Sequence, residues 1–387
     1  MKQEYKIIVA GDLLPSEKNY SLFETGNVEQ LYGKRILQLF AEANYSILNL
    51  EGTLTDCNIK LEKNGPRLKA PRTTIKGIKD LGVSAVSLAN NHATDYGTQG
   101  YTDTITELQN AGIDYAGIGP DINHVKTHIS IKIGNKRVCI YCVSEVFFNV
   151  PTETEAGANI YDEYLVCNEL KELKKTHDYI VVLYHGGAEY FRYPTPMVTK
   201  RCHRMVDCGA DFIFTQHTHC IGCEEYYKNA YILHGQGNFL FARQMSKPLL
   251  TKEGLLAEIC FCEDDVKVVK HHFKITESSL IYTDNYDFSD FDQRSSQIYD
   301  KDLMRKLYQE EKVGEIMNRY ILYYKGNFPF RGFLLKYFPE RFKKSLMHSY
   351  SRSQIIQLIN IIKCDRRNED MLQVWEYILE YTPLKGK

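Results

Sequence analysis

The sequence predicts an α/β fold built around two sheets, followed by a helical appendage. Two observations carry this expectation. Short β-rich runs alternate with helical stretches through residue 279, and successive strands end in carboxylate, amide or imidazole side chains. Beyond that point glycine and β-branched alternation thin out. At 387 residues the chain exceeds the usual single-domain size, and its 43% hydrophobic content can bury a large core. Residues 1–279 are therefore expected to form one domain and residues 280–387 the appendage.

Residues 6–10 form a first β run that stops at Gly11-Asp12. A helix over 28–43 leads to a strand over 45–50, which spills into Asn49 and Glu51-Gly52. A helix over 74–81 precedes the apolar run 83–88, which drives into Ala89-Asn90-Asn91-His92. In open α/β sheets this carboxyl edge is where ligands bind. Residues 98–111 read as a helix closed by Gly112. Gly134-Asn135 joins 129–133 to 137–143 as a hairpin, opening a second and more antiparallel sheet. Its next strand, 179–184, ends at His185, and after a helix over 196–208 the strand 211–215 ends at Gln216-His217-Thr218-His219. Runs near 224–227, 230–233, 255–262 and 266–275 are expected to complete it. The appendage is expected to hold helices over 302–324, 353–364 and 370–381.

Charge and composition exclude several classes. A formal charge of −1 offers no global attraction to nucleic acid, so none is expected as a partner. No apolar span of about twenty residues and no signal-peptide pattern occurs in the sequence, which reads as cytoplasmic or peripheral. The 11 cysteines sit mostly in apolar runs and read as buried thiols rather than a disulfide framework. Strand alternation sends Cys139 and Cys142 to opposite faces, against a zinc ribbon with Cys220 and Cys223. His271-His272 reads as strand surface. Residues 319–344 interleave basic and aromatic side chains, which suits packing against the main domain or a peripheral contact with membrane or polyanion.

The strand ends collect Asp12, Glu51, Asn91 with His92, His185, and His217 with His219. A single histidine there is usually structural, and Asp12 or Asp95 alone could be only a cap. Their recurrence at one strand end after another points to metal. Mixed oxygen and imidazole donors suit Mn, Fe or Zn, and a carboxylate such as Glu51 can bridge two ions.

These motifs resemble the capsule-biosynthesis CapA family of the calcineurin-like metallophosphoesterase superfamily. The resemblance runs over about residues 5 to 245: Gly11-Asp12, Asn49-Leu50-Glu51, Lys69-Ala70-Pro71, Ala89-Asn90-Asn91-His92 with Asp95-Tyr96-Gly97, His185-Gly186-Gly187-Ala188-Glu189-Tyr190, Gln216-His217-Thr218-His219 and Gly237-Asn238-Phe239. It implies a four-layer α/β/β/α sandwich binding two divalent metal ions. Asp12 and His219 would serve the first ion, Asn91, His185 and His217 the second, and Glu51 both. His92 would face substrate as the catalytic acid, with Asp95 and Glu189 orienting imidazoles and Asn90, Tyr190 and Asn238 contacting substrate.

The chain departs from the pattern at Leu14, where the superfamily places a histidine, so the first ion loses a ligand. Gly186 replaces a family tryptophan and suggests a wider pocket; Thr215-Gln216 replaces Gly-His. The expected activity is phosphoester hydrolysis linked to capsule or poly-γ-glutamate metabolism, on a phosphoester or anionic polymer substrate. Amide hydrolysis of a γ-glutamyl polymer, or a non-catalytic role in a capsule assembly apparatus, are the competing readings.

Overall fold

A computed structural model describes residues 4–63, 65–241, 249–262 and 265–310. The chain divides into two compact units, 1–61 with 66–298, and 62–65 with 299–387. Within the first unit, strands β1 (Tyr5–Leu13), β2 (Tyr45–Leu50), β3 (Ala85–Ser87) and β4 (Asp114–Ala116) lie parallel side by side. The chain then builds a six-stranded second sheet from β5 (His128–Ile133), β6 (Lys136–Ser144), β7 (Tyr179–His185), β8 (Phe212–Gln216), β9 (Ile221–Tyr227) and β10 (Ala230–Gln236). Finally β11 (Glu253–Phe261), β12 (Val266–Ile275) and β13 (Leu280–Tyr282) return to the first sheet, with β11 antiparallel to β1, making it seven-stranded.

Period-2 alternation sorts each strand's side chains into different layers. Ile8, Ala10, Leu48 and Val86 face helices α1 (Tyr20–Thr25), α2 (Val28–Glu42), α3 (Ile75–Asp80) and α4 (Gly97–Ala111), meeting Phe23, Ile36, Ile78 and Leu108. Their neighbours Ile7, Val9 and Ile47 face the other way and pack on Ile140, Val181, Leu183 and Phe214 of the second sheet. Ile180, Val182 and Ile213 then cover α5 (Glu163–Lys174) and α6 (Pro196–Asp207) through Leu170, Val198 and Met205. Three apolar interfaces thus separate four layers, an α/β/β/α sandwich. Cys139 and Cys142 fall in different interfaces, as strand alternation requires.

Several expectations are corrected. β11 and β12 complete the first sheet, not the second, and the second is parallel through β6, β7, β8 and β10, with antiparallel edges. His271 and His272 are buried, because β12 lies between β11 and β13. His271 Nε2 meets Glu258 at 2.7 Å, and His272 stacks on Tyr286 at 3.6 Å. Cys167 and Cys208 form a disulfide between α5 and the end of α6, with a Cα separation of 5.3 Å; the other described cysteines are free thiols. The first unit also runs past 279. β13 is sheet, and α7 (Ser289–Gln297) holds β9 through Arg294 Nε, which donates to Gly222 O at 2.8 Å. In the second unit, α8 (Lys301–Tyr308) is capped by Asp300, whose carboxylate accepts from Leu303 N at 3.0 Å. The helices expected over 353–364 and 370–381, most of that over 302–324, and the basic region 319–344 lie outside the described residues. Among the described residues no helix is long and apolar enough to cross a membrane.

One buried ion cluster ties α6 to the second sheet. Glu225 on β9 accepts from His203 Nε2 at 2.7 Å and faces His234 Nε2 at 3.0 Å. Burial pushes the Glu225 carboxyl up, but these two imidazoles outweigh it and bring it down to about 2. A carboxylate held below its unfolded value stabilises the fold above the unfolded pKa, and that stability disappears as pH falls from about 4.5 toward 2. Glu225→Gln is expected to lower stability at pH 7 by about 1–3 kcal/mol, the scale of hydrogen bonds to charged groups. The urea midpoints of the two proteins should draw together as pH falls below 4.5 and converge only at about pH 2 or below.

Candidate metal centre

The carboxyl ends of β1, β2, β3, β7 and β8 meet at one edge. Gly11 makes this approach feasible, since a Cβ there would stand 2.2 Å from Gly237 O. The chain after β10 can therefore bridge Asp12 to Asn238. The Asp12 carboxylate accepts from Asn49 Nδ2 at 2.8 Å and from His217 N at 3.2 Å, and its Oδ2 lies 3.4 Å from His219 Nδ1. Glu51, just past β2, is anchored by its backbone N–H to Leu13 O at 3.0 Å.

Two clusters result, Asp12 with Glu51 and His219, and Glu51 with His185 and His217; within each, one donor atom per residue lies within 4.8 Å of the others. Glu51 belongs to both. Its Oε1 is 3.7 Å from His185 Nε2 and 3.9 Å from His219 Nε2. Asn91 joins the second cluster, with Oδ1 2.9 Å from His185 Nε2.

The electrostatics ask for a cation. Glu51 is fully buried, and neither of its oxygens has a hydrogen-bond partner among the described residues. Burial, then the Asp12 charge, pushes its carboxyl well above the usual range. Burial and the neighbouring histidines His217, His219 and His92 hold His185 neutral, the form in which imidazole binds metal. For His219, burial pushes down, but Glu51 and Asp12 outweigh it and raise it to about 10. A protonated His219 is the positive charge these carboxylates recruit from the chain itself, a place a divalent ion can take. His217 and His219 also adopt left-handed backbone angles, φ 82° and 54°, a strain of about 1–3 kcal/mol each that clusters at functional sites. The donor set of carboxylate, amide and imidazole fits Mn, Fe or Zn.

The neighbouring residues take different places from one another. His92 Nδ1 lies 2.6 Å from Asp95 Oδ2, which also accepts from Leu68 N at 2.6 Å. The Glu189 charge helps to raise Glu51 and His219. Tyr190, at φ 62°, sets its ring 6.2 Å from that of His219. Asn90 and Asn238 are fully buried, and each engages both ends of its amide within the protein. Asn90 Nδ2 donates to Leu50 O at 2.8 Å and its Oδ1 accepts from His92 N at 3.0 Å. Asn238 Oδ1 lies 2.8 Å from His219 Nδ1, and its Nδ2 donates to Thr251 O at 3.0 Å.

At the departures from the motif, apolar and structural contacts fill the space. Leu14 is buried in the helix-facing core, with its Cδ1 2.7 Å from where a Gly52 Cβ would stand. Gly186 does not open a wider pocket, because a Cβ there would lie 2.5 Å from Glu145 Cγ; that side chain occupies the room. Gln216 stitches the sheets, donating from Nε2 to Ala10 O at 3.1 Å. Two residues carried no assigned role in the sequence reading. Asn49 touches both clusters, and its spacing of two from Glu51 was the available signal. Phe147 packs its ring 5.1 Å from that of His217, from a loop with no periodicity to betray it.

The family model described as bacterial capsule synthesis protein PGA_cap matches residues 6–243, a span that contains every one of these site residues. Capsule biosynthesis protein CapA of Bacillus anthracis is 32% identical over 205 residues, 51% of this chain and 49% of that protein. PGA biosynthesis protein CapA of Bacillus subtilis is 27% identical over 235 residues, 60% of this chain and 62% of that protein. The chain thus spans about half to three-fifths of the length of these curated relatives. Among solved structures, a hypothetical protein from Thermus thermophilus aligns at TM-score 0.47 and 15% identity, over 70% of this chain and 99% of that one. A novel phosphatase from Mycoplasma pneumoniae aligns at TM-score 0.45 and 14% identity, over 75% and 100%.

Proposed function

The chain belongs to the bacterial capsule synthesis protein PGA_cap family, and from that premise we propose that its strand-end site is a divalent-metal centre hydrolysing a phosphoester in capsule or poly-γ-glutamate metabolism. The observation that supports this most is Glu51, a buried carboxylate shared by two ligand clusters and hydrogen-bonded to nothing among the described residues. Asp12, Glu51 and His219 would hold one ion; Glu51, Asn91, His185 and His217 would hold the other. When bound, such ions supply Lewis-acid polarisation of a phosphoryl oxygen and lower the pKa of water at the site.

The chain's own residues supply the rest. Asp95 holds Nδ1–H of His92, leaving Nε2 to carry the proton given to the departing alcohol. Phe147 beside His217, and Phe241 stacked 5.2 Å from His219, keep water from the outer faces of both imidazoles. Leu14 leaves the first cluster one donor short of the second, so the first ion is expected to bind more weakly unless substrate completes it.

A second reading keeps the site and changes the bond. The Bacillus subtilis relative is named for PGA biosynthesis and a Mycobacterium tuberculosis relative is named a probable polyglutamine synthesis accessory protein, which favours an amide of a γ-glutamyl polymer as target. Elemental analysis of the purified and Mn-reconstituted protein, beside assays on phosphomonoester, phosphodiester and γ-glutamyl substrates, separates the two. Metal with phosphoester turnover is the expected result; protein that holds no metal in either form ends both readings.

A further inference from the structure

Two asparagines of the site face histidines with opposite ends of their amides. Backbone groups fix which end each presents. Asn238 Nδ2 donates to Thr251 O, so Oδ1 faces His219 Nδ1 as an acceptor. His219 Nδ1 therefore carries hydrogen, and Nε2 is the nitrogen turned to Glu51.

Asn49 is set by a longer chain of constraints. Asn90 Oδ1 accepts from His92 N while Asn90 Nδ2 donates to Leu50 O, and both backbone groups have one role only. The same Nδ2 donates to Asn49 Oδ1 at 3.0 Å. Asn49 Nδ2 is thereby turned to the Asp12 carboxylate, an acceptor at 2.8 Å, and to His185 Nδ1 at 3.3 Å. A donor at Nδ1 makes that nitrogen the acceptor, so in a neutral imidazole Nε2 carries the hydrogen. Its neighbour agrees, since Asn91 Oδ1 stands 2.9 Å from Nε2.

We propose that Asn49 is a positioning residue that couples the two clusters unequally, holding Asp12 ready for a cation while holding His185 in the tautomer whose Nε2 lone pair is taken by hydrogen. The inference rests on the reading of both clusters as cation sites. In the first cluster Asn49 and Asn238 fix the positions of Asp12 and His219. In the second, the ring hydrogen must pass from Nε2 to Nδ1 before a cation takes the Nε2 lone pair, and Asn49 Nδ2 must then turn from a nitrogen that has become a donor.

Two measurements on the full-length chain test this. In metal-free wild type, long-range 15N–1H spectra of the histidine rings should show His185 as the Nε2–H tautomer, assigned by the signal missing in His185→Gln. In Asn49→Ala that preference should be lost, and Mn(II) titration should show affinity for the first ion reduced about 10–100-fold, the usual cost of losing a partner that orients a metal ligand. An Nδ1–H tautomer in wild type that binds Mn(II) overturns the role of Asn49 and leaves the metal centre standing; this arm needs no Asn49 variant to fold. Wild-type spectra and affinity in Asn49→Ala overturn it equally. Wild type that binds no Mn(II) overturns the metal centre and the coupling together.

Discussion

Glu51→Gln is expected to remove both ions at once, whereas His217→Ala removes only the second. The reasoning is one of sharing. Glu51 stands in both clusters, and His217 in one. An amide keeps the shape of the side chain but offers a single neutral oxygen where the carboxylate offers two anionic ones. Losing an outer partner of a metal ligand costs about 10–100-fold in affinity, and losing a shared direct ligand is expected to exceed that at each site. Mn(II) titration with counting of bound ions gives the answer. If Glu51→Gln binds two ions with wild-type affinity, the bridging assignment is wrong.

His92→Ala is expected to lower turnover about 10²–10⁴-fold while leaving the bound metal unchanged. His92 is buried next to the clusters, and its Nδ1 is held by Asp95 at 2.6 Å, yet it belongs to neither group of ligand atoms. A general acid matters most when the departing group is a strong base. The loss should therefore be large for alkyl phosphoesters and shrink for aryl esters whose phenolate leaves without a proton. Equal losses for both, or loss of metal with the imidazole, would place His92 elsewhere in the mechanism. Asp95→Asn should reproduce part of the effect, because an amide holds Nδ1–H less strongly than a carboxylate.

Much of this site was legible before the fold was seen, because its signals are local. An apolar run that ends in Asn91-His92 or His185 declares its polar end within a few residues. The turn Gly134-Asn135 and the helix stop at Gly112 are equally local. The sequence could also expose its own exceptions, for Leu14 is visible as an apolar residue where the resembled motif has a histidine.

What only the tertiary structure decided depends on residues far apart in the chain. β11 joins β1 across more than two hundred residues of sequence, pairing Tyr5 with Phe261, and nothing in either strand's own pattern names that partner. The same holds for Glu145 filling the room beside Gly186, for His271 finding Glu258, and for Cys167 meeting Cys208. Composition and period specify which face of an element is apolar. They do not specify which polar atom will lie within about 3 Å of another, and that distance decides whether Asn90 and Asn238 meet substrate or brace a ligand. The residue types of the candidate site were therefore written in the strand ends, while the hydrogen-bond partners of its asparagines came from packing alone.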